Sequence, residues 1–149
     1  MLYLVHHGDA VGSDVDPMRP LSDRGRMHVE RLAKLAAEAG AKPEIIWHSG
    51  KLRARQTAEV FWRDCNALAT LAATHGLQPT DPTSWIVDVI TGEPRDVMLV
   101  GHFPHLPRLL GVFLSGRADA GPAEFPLHGV VALDREGYTW TEKWRLRAE

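Results

Sequence analysis

The sequence contains one cysteine, Cys65, so it cannot form an internal disulfide, which excludes a disulfide-stabilised secreted scaffold. No stretch approaches the run of about 20 apolar residues that a membrane-spanning helix requires. Neither sign of charge dominates, since the 149 residues carry 17 basic and 19 acidic side chains. That balance argues against a nucleic-acid partner or a membrane surface. With no targeting signal or internal repeat, the sequence predicts one globular domain over residues 1–149 and a cytoplasmic location.

Short apolar runs alternate with segments of helical periodicity. Strands are expected at residues 2–5, 45–47 and 97–100, and a closing hairpin is expected from residues 129–133 and 138–145. Trp140, Glu142 and Trp144 are expected on one face of the last strand, because side chains alternate along a strand. The alternation predicts an α/β fold with three layers, α/β/α. Its sheet is mixed but mainly parallel, with about five to six strands and helices on both faces.

Four helices are expected between these strands. Ser22 is a candidate N-cap for the first helix, and Ser115-Gly116 is expected to end the last one, which begins near Pro104. The clearest periodicity runs from Ala54 to Ala72, and it predicts one long helix closed by His75-Gly76. A short helix is expected after Asp81-Pro82, with an apolar face made of Trp85, Ile86, Val89 and Ile90.

Polar residues follow three of the predicted strands: His6-His7-Gly8, His48-Ser49-Gly50 and Gly101-His102. Ligands of parallel sheets bind beyond the carboxyl ends of the strands, so we expect these residues to share one edge. Arg53 lies in the first turn of the helix after the second strand, and Arg19 lies in the loop after the first. Histidines, arginines and helix N-termini together favour a phosphate or another compact oxyanion.

Four ordered segments resemble the histidine phosphatase superfamily, and within it the short SixA-like phosphohistidine phosphatases. They are Leu4-Val5-His6-His7-Gly8-Asp9-Ala10, Arg19-Pro20-Leu21-Ser22-Asp23-Arg24-Gly25, the stretch from His48 to Ala58, and Val97 to Pro104. The C-terminal hairpin matches as well, so the resemblance spans nearly the whole chain. It implies the phosphoglycerate mutase-like fold and phosphatase activity without a metal or other cofactor.

The resemblance also implies roles for individual residues. His7 resembles the nucleophile that forms a phosphohistidine, and His102 resembles the second histidine, which donates to a phosphoryl oxygen. Arg53 resembles the arginine that clamps the phosphoryl oxygens. The segments also place Arg19, Ser49 and Thr57 among the substrate-binding residues. The implied substrate is phosphohistidine on a protein, such as a histidine-containing phosphotransfer domain, or a small phosphorylated molecule.

Position 6 departs from the family pattern, which has arginine before the nucleophile where this chain has His6. His6 supplies positive charge only when protonated, so with an ordinary pKa of about 6.5 its help fades around neutrality. The general acid has no clear match either, and Asp9 and Asp16 are the candidates. A phosphohistidine substrate fits that gap, because a protonated nitrogen leaves with little acid assistance.

Two other functions remain open from the sequence. His6 favours a slow enzyme or a non-catalytic binder of phosphate or phosphoproteins. A metal-dependent hydrolase using His6, His7, Asp9 and His102 is a weaker alternative, because adjacent strand residues point in opposite directions. His48, at a strand end near the pocket, could also line it, and the sequence assigns no role to His128.

Overall fold

The strands form one six-stranded mixed sheet. The computed structural model describes residues 1–148. Its elements are β1 (Leu2–His6), α1 (Asp23–Glu38), β2 (Ile45–His48), α2 (Leu52–Cys65), β3 (Thr70–Ala73), α3 (Thr83–Thr91), β4 (Val97–Gly101), α4 (His105–Ser115), β5 (Val130–Glu136) and β6 (Thr139–Leu146). The strand order is β3-β2-β4-β1-β5-β6, in which β3, β2, β4 and β1 pair in parallel, and β5 and β6 add antiparallel pairs.

Alternating side chains of the central strands fill two separate cores. On β1, Tyr3 and Val5 join the core that contains Val29 and Leu32 of α1 and Phe61 of α2. Leu2 and Leu4 face the opposite core, which contains residues of α3 and α4 such as Ile86 and Leu109. The predicted three-layer α/β/α arrangement is therefore confirmed. No helix within residues 1–148 is both long enough and apolar enough to cross a membrane.

The ends of α1 and α4 follow the sequence signals. The Ser22 hydroxyl accepts a hydrogen bond from the Gly25 amide at 2.9 Å, which satisfies one of the free N–H groups in the first turn. Helix α4 ends at Ser115, and Gly116 follows with a φ of 72°, a left-handed conformation that glycine adopts without a steric penalty.

The predicted long helix from Ala54 to Ala72 is wrong beyond Cys65. Helix α2 ends there, Leu68 is 96% exposed, and the following residues form β3 at the sheet edge. Asn66 explains the break, because its side chain donates to the Pro43 carbonyl and accepts from the Leu68 amide. An asparagine that bonds nearby backbone groups competes with helix continuation. The helical spacing of apolar residues continues to Ala72, although Ala72 belongs to β3.

Two tryptophans of β6 lie on opposite faces of the sheet, so the prediction of a shared face is wrong. Ala132 pairs with Trp144 while Leu133 pairs with Glu142, which leaves Lys143 as a bulge. An extra residue reverses the alternation of side chains. Trp144 accordingly packs near Tyr3, and Trp140 contacts Phe113 edge-on.

The short helix α3 is present, but only half of its predicted apolar face is buried. Ile86 and Ile90 lie in the core, whereas Trp85 and Val89 are 44% and 46% exposed. Trp85 instead stacks on His75 with ring centroids 4.4 Å apart. A helix that contacts the body of the protein along a narrow stripe buries only the residues four apart on that stripe.

Candidate active site

Three strand ends bring the predicted polar residues to one edge of the sheet. His6 at the end of β1 pairs with Gly101 of β4, and His48 at the end of β2 pairs with Val100. His102 therefore follows β4 directly between the two neighbouring strand ends. The rings of His7 and His102 lie with centroids 5.0 Å apart.

His7 is held in one tautomer. Its Nδ1 lies 2.7 Å from the carbonyl oxygen of Gly8, which can only accept, so Nδ1 carries the proton. Burial lowers the pKa of His7 to about 4, and the positive charge of Arg53 acts in the same direction. The ring is therefore neutral at pH 7, with an unprotonated Nε2. A neutral nitrogen with a free lone pair is the form that nucleophilic attack on phosphorus requires.

His102 is almost fully buried beside Ser49. Its Nε2 lies 2.6 Å from the Ser49 hydroxyl, while its Nδ1 has no hydrogen-bond partner within residues 1–148. Burial lowers the pKa of His102 to about 3, assisted by repulsion from His7 and Arg53. Ser49 thus fixes the orientation of a neutral ring that faces the same space as His7.

Thr57 links the histidine loop to α2. Thr57 is fully buried. Its hydroxyl accepts a hydrogen bond from the Gly8 amide at 3.0 Å and donates one to the Arg53 carbonyl at 2.8 Å. Gly8 is the residue whose carbonyl holds the His7 ring. Thr57 therefore positions the backbone on which the His7 tautomer depends.

Arg53 and Arg19 supply the positive charge near these histidines. The pKa of Arg53 is lowered by burial and, next, by repulsion from the positive charge of Arg19. Arg53 Nε is buried and has no partner among the residues described, whereas Arg19 Nε donates to the Val11 carbonyl at 3.1 Å. Arg19 also has a φ of 48°, an uncommon conformation for a residue with a side chain. An oxyanion between the arginines would satisfy the free donor and relieve the repulsion.

His6 does not carry the charge that was expected of it. Its ring is stacked between Phe103 and His128, with centroid distances of 4.1 and 4.7 Å. Its Nδ1 accepts a hydrogen bond from the His128 amide at 2.8 Å, so Nδ1 is unprotonated. Burial lowers the pKa of His6 to about 2, with repulsion from His7 next. The expectation of an ordinary pKa near 6.5 is therefore wrong, and His6 is neutral throughout the physiological range.

His128 belongs to this cluster, while His48 does not contact it. His128 has a φ of 52°, and its Nδ1 lies 2.7 Å from the His7 carbonyl oxygen, to which it must donate. His48 instead accepts from the Gly50 amide through Nδ1, within its own turn. The hairpin could have indicated His128, because β5 pairs with β1 and the residues before β5 must meet the end of β1.

The two candidate general acids, Asp9 and Asp16, bond groups other than the pocket histidines. The Asp9 carboxylate accepts from the Ser22 hydroxyl at 2.7 Å, and the Asp16 carboxylate accepts from the Met18 amide at 2.9 Å. Within residues 1–148, neither carboxylate is hydrogen-bonded to a pocket histidine. Their role as general acid stays a prediction.

His6, His7 and His128 form the one group of potential metal ligands in residues 1–148, with donor atoms within 4.8 Å of one another. It differs from the set expected from the sequence, since it lacks Asp9 and His102. The donors fit an ion poorly, because the His6 and His128 rings are 4° from parallel, and lone pairs in parallel planes do not converge. His6 Nδ1 is also occupied by an N–H donor.

Neither a protein-family model nor a curated protein matches the chain, but many solved structures share its fold. The protein histidine phosphatase SixA in complex with tungstate superposes with a TM-score of 0.84 at 22% identity, covering 99% of this chain and 96% of that one. A putative SixA from Agrobacterium tumefaciens gives 0.78 at 23% identity, with 97% and 96% covered. A phosphoserine phosphatase mutant from Entamoeba histolytica gives 0.71 at 12% identity, with 99% and 97% covered.

These similarities define the class of structure. The chain has the histidine phosphatase fold, which is the phosphoglycerate mutase-like α/β architecture expected from the sequence. Among the similar structures, those named as SixA proteins cover nearly the full length of both chains. The likeness at this level of identity is one of fold.

Proposed function

We propose that the protein is a phosphatase that acts through a phosphohistidine at His7. The observation that carries this proposal is the His7 ring itself. It is neutral, its Nδ1 proton is held by Gly8, and its free Nε2 belongs to a ring 5.0 Å from that of His102. Two nearby arginines provide the positive charge that a phosphoryl group requires.

In the first step, the lone pair of His7 Nε2 attacks phosphorus, and a new N–P bond forms as the bond to the leaving group breaks. The leaving group departs with the bonding electron pair. Arg53 and Arg19 offset the negative charge on the phosphoryl oxygens, and Gly8 stabilises the positive charge that develops on the His7 ring. We expect His102 to donate to a phosphoryl oxygen, with the Ser49 hydroxyl fixing the orientation of its ring.

In the second step, water attacks the same phosphorus atom and the N–P bond to His7 breaks. Inorganic phosphate is released, and the electron pair returns to Nε2 of a neutral ring. When the substrate is a phosphohistidine whose other ring nitrogen carries a proton, the leaving nitrogen takes the electron pair, the imidazole departs neutral, and no strong general acid is needed. We therefore favour phosphohistidine on a protein as the substrate, supported by the likeness to SixA structures and by the hydrogen bonds that tie the Asp9 and Asp16 carboxylates to Ser22 and Met18 rather than to a pocket histidine.

The test is phosphate release from a phosphorylated histidine-containing phosphotransfer domain and from a small phosphoramidate. Wild-type protein should release phosphate from both, and His7→Ala should release none. Denaturation during turnover should trap an acid-labile phosphoryl group on His7. Tungstate should inhibit, and a chelator should not. Release by His7→Ala at the wild-type rate would refute the proposal.

The neutrality of His6 favours a second candidate, a catalytically weakened member that binds phosphate or a phosphoprotein. The family arginine at this position offers a permanent charge and a forked pair of donors, and His6 offers neither at pH 7. This candidate predicts that phosphate and tungstate raise the melting temperature through Arg53, while neither substrate is hydrolysed.

A further inference from the structure

A groove lies beside the phosphoryl pocket, along one face of α1. Its volume is about 520 Å³, and its lining includes Asp9, Arg24, His28, Arg31, Leu127 and His128. His128 belongs to both places, because its ring stacks on His6 and its Nδ1 donates to the His7 carbonyl. The groove therefore adjoins the histidine cluster at His128.

One wall of the groove is basic. Arg24, His28 and Arg31 are spaced four and three residues apart, which places them on one face of the helix over a length of about 10 Å. Both arginines are exposed, and neither is in an ion pair with any residue of the described chain.

The other wall combines an apolar and a polar contact. Leu127 is 60% exposed immediately before His128. Asp9 is the acidic residue of the groove, and its carboxylate already accepts a hydrogen bond from the Ser22 hydroxyl at 2.7 Å. The groove thus offers two uncommitted cations and a leucine. An acidic protein segment with an apolar residue complements this set, whereas the net charge of −2 and Leu127 suit a nucleic-acid backbone poorly.

We propose that this groove is the docking surface for the protein substrate, and that it binds an acidic segment lying next to the phosphorylated histidine. The identity of the group in the pocket rests on the proposed phosphatase function. Binding in the groove itself does not, because the arginines of the groove are separate from Arg53 and Arg19. Docking here would leave hydrolysis of a small phosphoramidate independent of Arg24 and Arg31.

The first test measures hydrolysis by two matched double variants. Arg24→Glu/Arg31→Glu reverses the charge in the groove. Arg26→Glu/Lys34→Glu makes the same change in charge at exposed positions of α1 outside the groove. The groove variant should raise KM for an acidic phosphotransfer domain by at least about tenfold, equivalent to about 1.4 kcal/mol. It should leave the small phosphoramidate unaffected, and the control pair should change neither. Equal effects of the two pairs would overturn the proposal.

The second test needs no catalysis. A fluorescent, unphosphorylated peptide rich in glutamate and leucine is titrated with the wild type and both variants, at low and moderate salt. Wild type and the control pair should bind it with an affinity that falls as salt rises, and the groove variant should lose binding by at least about tenfold. Absence of wild-type binding, or tighter binding of a single-stranded oligonucleotide, would overturn the proposal. If wild type hydrolyses neither substrate but binds the peptide in the groove, the proposed function fails and the docking surface stands.

Discussion

Replacing Thr57 by valine removes one hydroxyl from the buried link between α2 and the His7 loop while keeping the branched shape of the side chain. The Gly8 amide then loses its acceptor, 3.0 Å away in the wild type. A buried donor left without a partner costs about 1–3 kcal/mol. The lost donation to the Arg53 carbonyl adds less, because a helix carbonyl can keep its backbone partner. For a protein of this size, that loss lowers the melting temperature by roughly 2–12 °C.

Activity should fall more than stability suggests. The amide and the carbonyl group both belong to Gly8. A backbone shift that finds a new partner for the unpaired amide therefore also moves the carbonyl oxygen that accepts from His7 Nδ1. A misplacement of about 1 Å at a reacting group can cost on the order of 10²-fold in rate. We expect kcat to fall by about 10- to 100-fold in Thr57→Val, with a smaller change in KM, because the Thr57 hydroxyl is engaged by Gly8 and Arg53 and acts through them.

The assay is steady-state hydrolysis of a small phosphoramidate, paired with urea unfolding of the same preparations. Thr57→Ser is the control, since it keeps the hydroxyl and removes only the methyl group. It should retain most of the wild-type kcat despite a stability loss from the cavity. If Thr57→Val unfolds and turns over like wild type, or if Thr57→Ser loses as much kcat as the valine variant, the positioning argument is wrong.

Three further outcomes follow from the charges in the site. His6→Arg adds a permanent charge and should raise phosphate release at least about tenfold, or about 1.4 kcal/mol in the barrier. The gain should be the same at pH 6 and pH 8 because His6 is neutral at both, and a gain confined to high pH would contradict the low pKa of His6. Folding keeps His6, His7 and His102 neutral, whereas the unfolded chain binds protons below about pH 6.5. The free energy of unfolding is therefore highest above that pH. It falls below that pH, by up to about 4 kcal/mol for the three histidines together at pH 5.5. A urea midpoint that stays constant from pH 7.5 to 5.5 would refute this. Tungstate should raise the melting temperature of wild type and fail to do so in Arg53→Met, as followed by thermal unfolding, and equal stabilisation of both would place the anion elsewhere.

The layers of the fold were predictable because they depend on the alternation of short apolar runs with segments of helical periodicity, and this alternation is visible in the sequence. The break after Cys65 was not, since the helical period continues through Leu68 and Ala72 while Asn66 ends the helix with its side chain. The bulge at Lys143 was equally hidden. It depends on how β6 pairs with β5, and a single strand sequence gives no register.

The candidate site was predictable where it depends on topology. His7, His102 and Arg53 follow parallel strands, and the strand order brings them to one edge. The environment of His6 was not predictable, because it depends on Phe103 and on His128, which lies 122 residues away in sequence. An exposed histidine titrates near pH 6.5, and only the stacked, hydrogen-bonded burial seen in the fold abolishes that titration.

Histidine at position 6 changes which groups hold charge in the pocket. A buried arginine there would add a third cation beside Arg53 and Arg19, whose repulsion already lowers the pKa of Arg53. His6 avoids that repulsion and gives up a donor to the transition state. Losing such a donor typically costs on the order of 10²–10³ in rate. The His7 ring is unaffected, because its tautomer depends on Gly8 and Thr57 rather than on position 6. The substitution therefore favours a slower enzyme over an inert one, provided that Arg53 and Arg19 suffice to hold the phosphoryl group.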